Sequence, residues 1–447
     1  MASAYFLISS VLLLLTLLIV AGSRQVRFGR LLVVAVLLYG ITIKPLFVVL
    51  ELPSADFIAD FVLYPLTEQQ YWSGSTFLLA YYGLFLLAMI AAGRTLAHVR
   101  VRPAALEIER FRLGRVVFVL GVGLLGMLAF FYQNPDLLTG ASKNVLAADD
   151  VASYQGSGIS RTLCSALYFV PFLMLVNVRN NYRRKASLLV LWIAALAWLG
   201  FNFLADQRGG MLFATVSWLI AYAGFIGPVR FRYLFALGVV VGAMVLVRTA
   251  LRIASGAEGA LASLDQVLGN YIGRNFVENA KTLIIMDAVP QSLPQMYGSS
   301  YLDSLLILVP RALLPDKQTV NLDTIIGISV FDCDAIGACG VPPGLIAESF
   351  VNFGFGGIVV MLVIAGVVTA WLDWRATGGG SWYRIFYASS LVYFGMAALG
   401  SGISSFTTQL IMSALVLTFA YYVSLSRGRF VEPQPQSPGR GARAAPA

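Results

Sequence analysis

The chain has 447 residues, of which 58% are hydrophobic and only 12% charged, whereas an ordinary soluble domain carries about 25% charged residues. This composition excludes a typical soluble enzyme and predicts a membrane protein with several spans. The net charge is +9, and the three cysteines contain no CxxC pair, which excludes a disulfide scaffold, a zinc ribbon and an iron–sulfur site.

Apolar runs of about 17 to 25 residues predict an all-α protein with about eleven transmembrane helices. They lie near 3–22, 31–50, 74–93, 115–133, 161–178, 187–204, 211–227, 233–250, 345–372, 384–401 and 405–425. The predicted organisation is transmembrane helices 1 to 8 in 1–250, a large extracytoplasmic loop in 251–344, helices 9 to 11 in 345–425, and a disordered cytoplasmic tail in 426–447.

The charges around the first span predict the orientation. No Lys or Arg precedes this span, whereas Arg24, Arg27 and Arg30 follow it, which is the reverse of a cleavable signal peptide. We therefore expect the segment to be retained with its N-terminus outside the cytoplasm. The loops that would then face the cytoplasm are the basic ones, as the positive-inside rule requires.

Arginines next to the outer membrane surface are the first candidates for chemistry, because ionisable residues at that depth tend to mark substrate paths. Arg208 lies in the short turn "LADQRGGM", at the expected start of a helix whose N-terminal amides favour phosphate. The alternative is an ion pair between Asp206 and Arg208 in a tight turn. Arg248 and Arg252 are four residues apart and share a helix face, so they could grip one diphosphate or simply anchor the helix end by snorkelling.

The large loop contains a short apolar run, Leu305 to Val309, followed by prolines and the cations Arg311 and Lys317. This pattern predicts an interfacial or re-entrant helix that ends in a rigid basic turn at headgroup level. The two cations could bind a substrate phosphate, or they could hold the loop on anionic lipid. Glu348 lies just inside the ninth span, where a carboxylate must either pair with an arginine or act on a substrate.

Several other patterns carry less information. The "DCD" at 332–334 resembles a nucleotide-sugar motif but is predicted to lie outside, where no nucleotide sugar is available. Cys333 and Cys339 share that oxidising side, and we expect a small loop disulfide rather than a metal site. The single histidine, His98, falls in a cytoplasmic loop, which excludes a histidine base or a histidine-based metal site on the outer side.

Three stretches resemble the bacterial O-antigen (Wzy-type) oligosaccharide repeat-unit polymerases. "DQRGGMLF" is similar to the short Arg-Gly turn of that family, and "GSSYLDSLLILVPRALLPDK" followed by "PPGLIAESFVNFGFGG" is similar to its large-loop signature. The motif resemblance covers about 205–215 and 297–357, and the layout of spans is similar over most of the chain. It implies a polytopic inner-membrane protein of GT-C-like architecture.

The resemblance also implies a metal-independent glycosyltransferase without a cofactor. Its substrate would be an undecaprenyl diphosphate-linked oligosaccharide, which is polymerised on the outer side of the inner membrane. We expect the diphosphates to be bound by Arg208, Arg248, Arg252, Arg274, Arg311 and Lys317. A base, if one is needed, must be a carboxylate, and Glu348 and Asp206 are the candidates.

Three other functions compete with this interpretation. An O-antigen ligase shares the lipid donor, but ligases of that family typically use a histidine in the outer loop, and no such histidine exists here. A lipid-linked oligosaccharide flippase or other transporter would spread charged residues through its spans, whereas here nearly all lie at span ends or in loops. A non-catalytic scaffold is the third. Candidate partners are membrane lipid, a chain-length regulator and a flippase, and nothing predicts a nucleic-acid partner.

Overall fold

A computed structural model describes most of the predicted membrane helices and parts of the large loop. The described residues are 2–21, 39–49, 66–99, 109–139, 157–205, 208–227, 239, 242–244, 247, 279–306, 322–331, 341–378, 380–393 and 402–426. Within these ranges the regular structure is helical, and the one β-type contact is an isolated antiparallel bridge between Phe111 and Leu425. The all-α fold class is therefore confirmed for the described part of the chain.

The helices that precede the large loop are α1 (Ala2–Ala21), α2 (Lys44–Val49, which follows a π-helical turn Tyr39–Ile43), α3 (Glu68–Ala97), α4 (Leu113–Gln133), α5 (Ser157–Cys164), α6 (Ala166–Arg179), α7 (Arg184–Leu204) and α8 (Arg208–Phe225). The segment predicted to form the large loop contains α9 (Asn279–Asp287), α10 (Ser299–Leu306) and α11 (Leu322–Phe331). The last three helices are α12 (Gly344–Gly378), α13 (Ser381–Tyr393) and α14 (Ile403–Ser424).

Five described helical segments are long and apolar enough to cross a membrane. They are α3, α4, the segment Ile159–Arg179 that joins α5 and α6, α7, and the part of α12 up to Arg375. Shorter apolar helices in α1, α8 and α14 coincide with further predicted spans, while the predicted span near 233–250 falls largely outside the described residues. The structure thus supports a membrane-embedded helical protein.

Basic residues gather at one end of the helix bundle, which we call the basic end. There the Arg112 N–H donates to the Ser424 carbonyl at 2.9 Å, which joins the start of α4 to the end of α14. The Asn177 side chain of α6 bonds both backbone groups of Phe111 at 2.9 Å. The described cations at this end are Arg94, Arg110, Arg112, Arg115, Arg179, Arg183, Arg184, Lys185, Arg375 and Arg384.

The opposite end, which we call the acidic end, holds the described parts of the predicted large loop. Most of the described charged residues at this end are acidic: Glu68, Asp287, Asp303, Asp323 and Glu348. The described cations here are Arg161 and Lys281. This segregation of charge is the pattern that the positive-inside rule produces across a membrane.

Small residues allow the long helices to pack closely. Gly366 of α12 lies against the backbone of α3, where an added Cβ would stand 2.7 Å from the Phe85 carbonyl oxygen. Gly126 of α4 meets α5, where an added Cβ would lie 2.6 Å from the Cys164 nitrogen. Membrane helices use such contacts because lipid gives little hydrophobic drive for association, so close van der Waals packing must supply it.

Candidate functional site

Glu348 forms the centre of a buried polar cluster at the acidic end. Its side chain is fully buried in the second turn of α12, and it accepts hydrogen bonds from the first two amides of α14. Oε2 accepts from the Ile403 N–H, and Oε1 accepts from the Ser404 N–H at 3.0 Å. Since the start of a helix leaves amides unpaired and carries partial positive charge, the carboxylate is a favourable cap.

Gly402 explains why the carboxylate can approach so closely. It precedes α14 with φ 96° and ψ 166°, and no side chain of its own caps the helix. That backbone conformation is essentially restricted to glycine, and a Cβ at this position would collide with Glu348 Oε2. The capping group of α14 therefore comes from a residue that lies far away in sequence.

Asn352, one helical turn after Glu348, fastens the start of α10 to α12. Its Nδ2 donates to the Glu348 carbonyl at 2.8 Å and to Ser300 Oγ at 2.8 Å. Its Oδ1 accepts from the Gly298 N–H at 3.0 Å. The side chains of Asn352 and Ser300 are both buried. Together with the bonds of Glu348 to α14, these contacts join α10, α12 and the start of α14 into one connected unit.

Tyr301 adds a phenol to this cluster. Its ring stacks on Phe353, with centroids 6.1 Å apart and planes inclined by 25°. Burial raises the pKa of Tyr301 above its usual value, and the charge of nearby Glu348 raises it further. The phenol is therefore protonated at neutral pH and can donate a hydrogen bond.

A kink at Gly354 separates this cluster from the rest of α12. Gly354 has φ 64° and ψ −157°, which is not helical, and glycine tolerates such a conformation without the steric cost that other residues meet. From Phe355 to Arg375 the helix rises about 30 Å, the thickness of a bilayer hydrocarbon core. If Arg375 marks one membrane surface, the first ten residues of α12 stand at or beyond the other.

The structure describes the side chain of only one predicted site residue, Glu348. Arg208 is the first described residue of α8, but its side chain lies outside the described part. The other predicted residues also lie outside the described part of the chain: Asp206, Arg248, Arg252, Arg274, Arg311, Lys317, Cys333 and Cys339. Their roles stay predictions.

The predicted arginine partners of Glu348 lie outside the described residues, so that prediction stays a prediction. Among the described residues, the hydrogen bonds to its carboxylate come from the Ile403 N–H and from Ser404. This engagement favours a positioning role, while the catalytic role stays a prediction. Sequence reasoning considered ionisable side chains only and so missed Ser300, Tyr301 and Asn352. The four-residue spacing of Glu348 and Asn352, which puts them on one helix face, was an available signal.

His98 follows the last residue of α3 as its C-cap, at the basic end. Within the described ranges, no group of three or more His, Cys, Asp or Glu side chains could hold a metal ion.

Comparison of the chain with protein-family models, with curated proteins and with solved structures gave no match.

Proposed function

We propose that this protein is an integral-membrane glycosyltransferase that polymerises undecaprenyl diphosphate-linked oligosaccharide repeat units into O-antigen, capsule or exopolysaccharide. The observation that carries the proposal is the contact between the two loop segments of the resemblance. The segment around Ser300 and the segment from Glu348 to Phe353 meet in one buried polar cluster. Their meeting supports a common function for them.

The proposed topology has eleven spans, a periplasmic N-terminus and a cytoplasmic C-terminus in the bacterial inner membrane. The segregation of described cations to the basic end supports this orientation. The acidic end would then face the periplasm, where lipid-linked oligosaccharides are displayed after they have crossed the membrane. The large loop would cover the substrate on that side.

In the proposed reaction, a hydroxyl at the non-reducing end of the incoming lipid-linked unit attacks the anomeric carbon of the growing chain. The bond from that carbon to the lipid diphosphate breaks, and the hydroxyl proton passes to a base or to solvent. Undecaprenyl diphosphate leaves with the bonding electrons. Guanidinium groups bind phosphate oxygens with paired hydrogen bonds. The proposed residues that stabilise this negative charge are Arg208, Arg248, Arg252, Arg274, Arg311 and Lys317.

Glycolipid gels of a gene-deletion strain test the proposal. Loss of a polymerase leaves single-unit caps, loss of a ligase leaves lipid-linked polymer, and loss of a flippase leaves no outer product. Complementation with the full chain should restore the polymer ladder.

Arginine variants then test the mechanism. Arg208→Ala and Arg311→Ala should shorten or abolish the polymer at matched expression, because the leaving group loses charge stabilisation. Arg184→Ala at the basic end is the control and should leave the ladder unchanged. Unchanged ladders in both Arg208→Ala and Arg311→Ala would show that these residues do not stabilise the diphosphate.

A further inference from the structure

Tyr297 is an exposed aromatic residue in an unfavourable backbone conformation. It lies in the turn before α10 with φ 48°, in the left-handed region that bulky residues rarely adopt. Its side chain is 78% exposed, so packing does not account for a tyrosine at this position. A glycine would suit the backbone better, which leaves the ring itself to be explained.

The neighbours of Tyr297 hold this conformation in place. On one side the Met296 N–H donates to the Val351 carbonyl at 2.9 Å. On the other side the Gly298 N–H donates to Asn352 Oδ1 at 3.0 Å. Both anchors lie on α12, so the turn is fixed to the Glu348 cluster. Strain that persists because the surroundings impose it is often found at ligand sites.

More aromatic surface lies next to this turn. Phe353 is 47% exposed, and its Cζ would lie 2.9 Å from a Cβ added to Gly298, the residue after Tyr297. Its ring also stacks on Tyr301. We call Tyr297, Tyr301 and Phe353 the aromatic edge.

Charge and depth indicate what the aromatic edge binds. Two described acidic groups lie close to Tyr301: Asp303 is two residues further along α10, and the charge of Glu348 acts on the Tyr301 phenol. Such negative charge repels phosphate. If Arg375 marks one membrane surface, the length of α12 after its kink puts the edge at headgroup depth on the other side. The first sugars of a lipid-linked oligosaccharide occupy that depth.

We infer that the aromatic edge is a subsite for an uncharged sugar ring of the lipid-linked oligosaccharide, with Tyr297 as its exposed stacking residue. The inference rests on the proposed function and names a substrate contact for it. One face of a pyranose presents C–H groups, which pack on the electron-rich face of an aromatic ring.

Binding of the lipid-free repeat unit to the full chain in nanodiscs tests the inference. The probe comes from the undecaprenyl diphosphate-linked single units of the deletion strain, from which mild acid releases the sugar by cleaving its bond to the diphosphate. Tyr297→Gly removes the ring and relieves the backbone, so loss of binding cannot be ascribed to misfolding. We expect it to raise the Kd roughly three- to tenfold. Tyr297→Phe keeps the ring and should stay within about twofold of the wild type.

Tyr132 provides the matched control, because its side chain is 88% exposed. It lies at the opposite end of α4 from Arg112, which is the acidic end. Tyr132→Ala should leave the Kd unchanged. If Tyr132→Ala weakens binding of the repeat unit as much as Tyr297→Gly does, the effect comes from interfacial aromatic residues in general. If the Kd is unchanged in Tyr297→Gly, Tyr297 does not contact the sugar. Either result overturns the inference. If the deletion strain makes its normal polymer, the proposed function fails and the inference fails with it.

Discussion

Replacement of Glu348 should loosen the start of α14 before it affects the rest of the protein. In Glu348→Ala, the partly buried Ile403 amide and the buried Ser404 amide lose their acceptor. A buried donor without a partner costs about 1–3 kcal/mol, and the loss of a charge at a helix N-terminus adds up to about 2 kcal/mol. We take about 3 kcal/mol as the expected cost of opening this first turn.

Glu348→Gln should have a smaller effect. Glutamine keeps one oxygen that can accept from an amide, but it loses the charge and places an NH₂ group among donors. A charge-assisted bond is roughly twice as strong as a neutral one, so the expected cost is about 1.5 kcal/mol. Glu68→Gln, an exposed substitution in the first turn of α3, is the control and should cost less than about 0.5 kcal/mol.

Hydrogen–deuterium exchange of the purified protein in nanodiscs measures this local opening. Since 1.4 kcal/mol corresponds to a factor of ten, the start of α14 should exchange about 100-fold faster in Glu348→Ala and about tenfold faster in Glu348→Gln. Peptides from the middle of α14 should change little. Wild-type exchange at Ile403 and Ser404 in both variants, or an increase spread evenly over the chain, would refute the capping role.

Three further predictions follow from the packing and the charge distribution. Gly402→Ala should destabilise the protein by about 1–3 kcal/mol, because alanine does not tolerate this φ and its Cβ meets the carboxylate of Glu348; a wild-type melting temperature would contradict this. Gly126→Ala should lower the melting temperature, because the added Cβ would clash with α5. The control is Gly121→Ala in the same helix, whose Cβ meets nothing within 4 Å and which should stabilise the protein by about 0.5–1 kcal/mol. Equal shifts in the two variants would argue against the α4–α5 contact. Alkaline phosphatase fused after α10 should be active and after α3 inactive, and the reverse pattern would invert the proposed topology.

The sequence predicted several of the described helices well, because hydropathy is a local property of the chain. The predicted spans near 115–133 and 187–204 correspond to α4 and α7 with ends that differ by a few residues at most. The span near 161–178 is interrupted at Ser165, between α5 and α6. Nothing in its apolar composition marks this break, because the composition continues across it.

The candidate site was predicted only in part. The sequence singled out Glu348 because a carboxylate near the membrane is costly, and the structure places it at the centre of a polar cluster. Its partners were not predicted, because they are backbone amides 55 and 56 residues further along the chain. The position of the kink was also hidden, since "NFGFGG" offers three glycines and only Gly354 adopts the non-helical conformation.

By itself, the sequence determined the membrane class, the helical fold class and the concentration of cations in alternate loops. These properties follow from the solvation of each segment and from the charges beside it. Only the tertiary structure decided that the segment around Ser300, the first turns of α12 and the start of α14 meet around Glu348. Directed hydrogen bonds between residues far apart in the chain depend on how the helices pack, and no local pattern encodes that arrangement.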